Sequence, residues 1–205
     1  MLPGNTPHRI PTTFRTAPGY YDVCFSIERA RRYHSKMRAF YEWCHNLARV
    51  AMALSGTASF FVVLAKDLDL AKYLTGVVAA GASIDSVFRF ERKARLHDQL
   101  AKEFTALAAR IAEWEPVAAN LKKARAGRLK IEAREPPVRR LIDLQAQNEE
   151  ARARHTSPDD LVPLSRLQRI FGYVATFGMG RLEKWHAARA GNAEPVAPIQ
   201  PETPT

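Results

Sequence analysis

The chain has 205 residues, 46% of them hydrophobic and 25% charged, and carries a formal net charge of +10; its pI is near 9.9 and its mean hydropathy is -0.28. This is an ordinary globular average in which two short apolar spans would be diluted by a long charged remainder, and the basic excess implies an anionic surface nearby, either nucleic acid or acidic lipid. Cys24 and Cys44 form no CxxC or CxxxC pattern, which argues against a disulfide framework or a zinc site and for reduced thiols.

Residues 1–22 read as an irregular leader, with Pro3, Pro7, Pro11 and Pro18 and no apolar run in the first twenty residues that would make a cleavable secretory signal. A first helix is predicted to begin near Val23 to Ser26 and to run through Tyr41-Glu42-Trp43 into an apolar stretch, Val50 to Ala65. Tyr33, Tyr41 and Trp43 are placed where aromatics anchor at a membrane interface, their plainer role being core packing.

A second apolar stretch, Tyr73 to Ile84, follows across the polar turn Lys66-Asp67-Leu68-Asp69-Leu70. A hydrocarbon core of about 30 Å takes roughly 20 helical residues, so the pair reads as transmembrane helices over about 47–65 and 71–90. The first then contains Arg49, which can snorkel to the headgroups, and the second contains Asp85, whose cost falls if it lies near a helix end or faces a protein partner. Arg29, Arg31, Arg32, Lys36 and Arg38 precede the first span, and Arg89, Arg92, Lys93 and Arg95 follow the second, while the turn balances Lys66 and Lys72 against Asp67 and Asp69. Basic excess marks the cytoplasmic side. Both termini are therefore expected in the cytoplasm, with the basic shoulders against an anionic inner leaflet.

Small and hydroxyl residues recur at spacings of about four along both stretches: Ala51, Ser55, Gly56 and Ser59 on one, Gly76, Ala80 and Ser83 on the other. They would let the two helices pack closely within the hairpin, and the alternative is a polar pore lining. Asp85 pairs either with Arg49 across the hairpin or with Arg89 four residues on, and is the candidate for a functional or oligomeric interface.

Beyond Asp85 the helix is predicted to continue without a breaker to Trp114-Glu115, halted by Pro116, which makes 23–115 one helical region. Leu100, Phe104, Leu107, Ile111 and Trp114 form a heptad-like seam whose partner is either the following helices or a second copy of the chain. Residues 116–190 form a further helical segment. It holds helices from Val117 to about Ile131 and from Val138 to about Arg154, split by Glu135-Pro136-Pro137, and a last one opening at Ser157 as N-cap with Pro158 at N1. The last carries an apolar stripe, Leu164, Leu167, Ile170, Phe171, Val174 and Phe177, that completes the bundle or lies on a membrane surface, bundle packing being favoured. Residues 191–205, with Pro195, Pro198, Pro201 and Pro204, read as a disordered tail. The fold class is all-α: a two-helix transmembrane hairpin with long cytoplasmic helices.

No catalytic constellation emerges. His34, His45, His97, His155 and His186 are scattered in sequence, which argues against a metal site, and neither an enzyme nor a cofactor is expected. Gly178-Met179-Gly180 lacks the spacing of a dinucleotide loop and reads as helix termination. Glu149-Glu150-Ala151-Arg152-Ala153-Arg154 reads as solvated helix faces.

The layout resembles the SLATT domain family of bacterial two-span proteins over roughly residues 25–155. The likeness rests on the lead-in Arg32-Tyr33-His34-Ser35-Lys36-Met37-Arg38, the paired spans, the helix Arg95-Leu96-His97-Asp98-Gln99-Leu100-Ala101-Lys102-Glu103-Phe104, and Glu135-Pro136-Pro137 followed by Asn148-Glu149. The resemblance implies a bacterial inner-membrane effector that self-associates and perturbs or forms pores in the membrane, triggered by a separate sensor protein. The competing readings are a non-enzymatic membrane adaptor of a mobile element, and a basic helical protein that binds nucleic acid through Lys122, Lys123, Arg125, Arg128 and Lys130 without adjacent base-stacking aromatics.

Overall fold

Seven α-helices and no strand make up the described residues, 19–64 and 68–192, of the computed structural model. Residues 1–18 of the expected leader, residues 65–67 and residues 193–205 of the Pro-rich tail lie outside them, while Leu68-Asp69-Leu70, expected in the turn, are helical. Helix α1 (Tyr20–Leu64) is about 68 Å long at 1.5 Å per residue, and it starts inside the expected leader because Tyr20 is a core residue. Its buried positions Tyr20, Val23, Ile27, His34, Met37 and Tyr41 step by three, four or seven, which puts them on one face of the helix.

That face is the partner of the heptad-like seam. Helix α3 (Phe90–Ala112) runs antiparallel to α1. Leu100, Phe104, Leu107 and Ile111 are buried against Tyr20, Val23, Cys24 and Ile27, with Ala124 and Ile131 of α4 (Ala118–Glu132) closing the cluster and Trp114 packed at its edge. The register is fixed at one end by Tyr20, whose hydroxyl donates to the carbonyls of Glu115 and Val117 at 3.2 and 3.1 Å. At the other end Tyr41 stacks on His97, with ring centroids 5.6 Å apart. The seam proposed for oligomer formation is thus filled within one chain, mainly by the helix that precedes it.

Helix α5 (Arg140–Ala153) lies along the same half of α1. Ile142 and Ala146 pack with Tyr33, Met37 and Tyr41, and ion pairs lace the two helices: Arg29 to Asp143 at 3.3 Å, Arg32 to Glu150 at 2.8 Å and Lys36 to Glu149 at 2.6 Å. Two expectations are corrected here. Glu150 is buried, not on a solvated face, and accepts from both Arg32 and Arg154. The basic lead-in, read as facing lipid, has acidic partners within the protein, Arg38 pairing with Asp98 at 2.7 Å. Tyr33 and Tyr41 are likewise core residues, whereas Trp43 is exposed.

Three connections depart from the sequence reading. Helix α2 (Leu68–Phe88) does not run on into α3, because Arg89 between them adopts φ 49° and ψ 50°, a left-handed conformation that ends one helix and caps the next. Ser157 opens only a three-residue 3-10 turn, Pro158–Asp160. Pro163 then keeps the chain extended, and the side chain of Asn148 holds Val162 through its N–H and carbonyl, both at 2.8 Å. Helix α6 (Arg166–Phe171) starts at a capping box formed by Ser165 and Gln168. Gly178, at φ +67°, leads into α7 (Met179–Asn192) and so begins a helix where a helix end was expected.

The distal half of α1 and all of α2 form the expected hairpin, which stands beyond the bundle; the substantial contacts of α2 are with α1. Among the described residues, no helix is long and apolar enough to cross a membrane. Helix α2 has 21 residues, about 30 Å and so a bilayer's hydrocarbon thickness, but Asp69, Lys72 and Asp85 interrupt its apolar run.

Candidate functional site

The hairpin presents apolar surface on its outside. Leu47, Val50, Leu54 and Val63 of α1 and Tyr73, Val77, Val87 and Phe88 of α2 are all exposed, Leu54 at 67% and Tyr73 at 77%. The small residues do not mediate close packing between the two arms. A Cβ added at Gly56 or Gly76 would meet nothing within 4 Å, and Ala51, Ala80 and Ser83 are exposed as well, Ser55 being half-buried. The close approach is made instead by Gly81, where a Cβ would lie 3.0 Å from Cγ of Met52. Gly76, Ala80 and Ser83, at i, i+4 and i+7, therefore form a shallow stripe on an open face of α2. Arg49 is exposed near the base. The side chains of Ser59 and Asp85 lie outside the described residues, as does any pairing of Asp85.

Polar residues near the tip are arranged differently from those near the base. Lys72 pairs with Asp69 at 3.0 Å at the end remote from the bundle, where an inserted hairpin would meet the opposite headgroups. At the base, Phe88 stacks on Phe90 with ring centroids 5.5 Å apart, across the left-handed Arg89. The ammonium of Lys93 lies 5.6 Å from the ring centre of Tyr41 and 5.9 Å from that of Phe88, a cation held over aromatic faces.

Just below this base the fold brings together a buried polar chain that sequence spacing did not reveal. His34 on α1 and His97 on α3, 63 residues apart in sequence, meet Nδ1 to Nδ1 at 2.8 Å, and Nε2 of His34 lies 3.0 Å from Oε1 of Glu135. Both rings are buried, packed among Tyr33, Tyr41 and Phe104. The tautomers are linked: where His34 Nε2–H donates to the Glu135 carboxylate, His34 Nδ1 is left to accept from His97 Nδ1–H. The gap between the rings holds this one proton; a second, on His34 Nδ1, would set N–H against N–H. Burial, and then electrostatic coupling to the neighbouring His34 ring, lower the pKa of His97 to about 4, so it is neutral at physiological pH. The signal in the sequence was weak: His34 and His97 each occupy an inward position of a heptad pattern, which becomes meaningful only when the two helices are paired.

His97 also borders a cleft of about 430 Å³, lined by Tyr33, Met37, Tyr41, Lys93 and Arg139 among others. Thr176 and the two tyrosines supply its hydroxyl groups. Among the described residues no group of His, Cys, Asp and Glu is arranged to hold a metal ion. The basic residues of α4 border a second groove, of about 550 Å³, where Lys123, Lys130 and Arg110 surround half-buried Trp114; an aromatic does lie beside this basic cluster.

No protein-family model matches the chain, and neither the curated proteins nor the solved structures contain a match.

Proposed function

We propose that the protein is a membrane-associated helical protein whose hairpin buries its outer faces in lipid and self-associates there. The exposed apolar surface of the hairpin carries this reading. Removing a large apolar side chain from water contributes roughly 1.5–3 kcal/mol, against a cost of roughly 2.5–3.5 kcal/mol for a charge at the bilayer centre on insertion scales. The hairpin exposes many such side chains, and its charges sit toward its two ends, so lipid is favoured over water. Each helix alone is too polar to make a good span; copies meeting along Gly76, Ala80 and Ser83 would shield the polar positions and approach closely. Arg49, Arg89 and Arg92 at the base suit an anionic inner leaflet, with both termini in the cytoplasm.

The resemblance to SLATT proteins extends this to a bacterial inner-membrane effector of a conflict or defence system, pore-forming or otherwise membrane-perturbing and triggered by a separate sensor protein. Fractionation of expressing cells tests the first step: extraction only by detergent supports insertion, and release by high salt or alkaline carbonate overturns it. Ala80→Leu should abolish cross-linking between copies in membranes while leaving the bundle folded, and dye leakage from vesicles separates an effector from an adaptor.

A second reading is binding of nucleic acid along α4. It is favoured by the exposed Lys122, Lys123, Arg125 and Lys130, of which Lys123 and Lys130 share a groove with Trp114, a cationic track with a stacking platform. It leaves the hairpin unexplained, and for that reason ranks below the first.

A further inference from the structure

Helix α6 is inside out. The one side chain it buries is that of Gln168, whose amide serves the backbone: Oε1 accepts from Ser165 N–H at 3.0 Å and Nε2 donates to the Phe177 carbonyl at 3.1 Å. The apolar residues of the helix face out. Leu167, Ile170 and Phe171 are exposed, and so is Val174 one turn further on, with Ile170 at 64% and Val174 at 66%. The bundle packing favoured for the stripe is therefore corrected except at Leu164, which is buried. Water penalises this orientation, yet the segment is held firmly in it: Gln145 donates to the Arg169 carbonyl at 3.1 Å, and Arg139 donates to the Val174 carbonyl at 3.0 Å.

Its position and charge indicate what covers it. Tyr173 stacks on Phe40 of α1 with ring centroids 4.9 Å apart, and Leu47, where the exposed part of the hairpin begins, is seven residues or about 10 Å further along the same helix. The apolar face thus sits beside the base of the hairpin, near exposed Trp43. From Leu161 to Leu182 the chain has no Asp or Glu but contains Arg166, Arg169 and Arg181, and Arg166 and Arg169 are exposed on α6 itself. Bare apolar side chains flanked by arginines, with no acid among them, match the headgroup region of an anionic bilayer.

We infer that the segment from α6 to Val174 is an interfacial foot that lies on the surface of the anionic leaflet entered by the hairpin. The foot rests on the reading of the hairpin as membrane-inserted and adds a second, peripheral contact that fixes the tilt of the bundle against the bilayer.

The test uses the full chain with Cys44→Ser, leaving Cys24 buried, and an environment-sensitive dye on either Ile170→Cys or Leu54→Cys. The chain is reconstituted into vesicles of phosphatidylcholine with or without phosphatidylglycerol. A blue shift and shielding from an aqueous quencher at both positions, greater at 170 when phosphatidylglycerol is present, is the expected result. Leu167→Glu with Phe171→Glu should lower the shielded fraction at 170 by at least about tenfold, with the circular dichroism of the bundle unchanged. Shielding at 54 with the dye at 170 in water overturns the foot and leaves the hairpin reading standing. Shielding at neither position overturns both. Concentration-dependent shielding at 170 without vesicles overturns the foot in favour of contact with a second copy.

Discussion

His34 and His97 face each other through their Nδ1 atoms at 2.8 Å, and this contact ties the two longest packed helices of the bundle together immediately below the apolar hairpin. Its stability depends on His97 staying neutral. Since His97 has a pKa of about 4 in the folded chain against an ordinary 6.5, the unfolded chain binds a proton across that window that the folded chain refuses. Stability therefore rises with pH between these values: the contribution is complete above about 6.5 and is lost as pH falls through 4. It is worth up to about 3 kcal/mol. Urea unfolding at pH 7 and at pH 5 should show the loss, and His97→Gln should flatten the dependence. Asp98, held low by Lys102 and Arg38, gives way only below its ordinary 3.8. Asp143, pushed up by burial, acts in the opposite sense and is common to both proteins.

Arg154 and Arg32 share the buried carboxylate of Glu150, at 2.6 and 2.8 Å. Removing one cation leaves a buried charge half-compensated, so Arg154→Ala should destabilise the bundle by about 1–3 kcal/mol. Part of that loss also reflects the stacking of Arg154 over Tyr21. Glu150→Gln in the Arg154→Ala background should recover a portion, and a double-mutant cycle from denaturant midpoints measures how much.

Arg89 is held at φ 49°, where a side chain with a Cβ is strained and glycine is not. Arg89→Gly should raise stability by up to about 1 kcal/mol, and Arg89→Val should lower it by more than that. Melting temperatures in the order Gly, Arg, Val are expected; the reverse order would show that the break between α2 and α3 is not built on a left-handed residue.

Phe104 is fully buried, stacked on His34 with centroids 5.7 Å apart. Phe104→Ala should cost about 3–5 kcal/mol and unfold or loosen the bundle at every protein concentration. A seam shared between copies would instead give a loss that grows on dilution, which sedimentation and thermal melts at several concentrations would detect.

The helical character of the chain, the rough positions of α4 and α5, the breaks at Pro116 before α4 and at Pro136-Pro137 between α4 and α5, and the division of the apolar residues between two helices were all legible in the order of residues. These follow from local causes: periodicity, ring closure at proline and the lack of alternating strands. Which face meets which is a matter of long-range packing. The seam through Phe104 turned inward because the antiparallel half of α1 offers a matching heptad face in the same chain, and the basic lead-in found Glu149, Glu150 and Asp98 across space. His34 and His97 were mute until that register brought them together. Conversely, residues with every local mark of a core, Leu167 and Ile170 among them, stayed outside because Pro163 and the bonds of Gln168 fixed the backbone with its polar side inward. A periodic pattern states that a face is apolar, whereas burial depends on whether another surface of the fold reaches it.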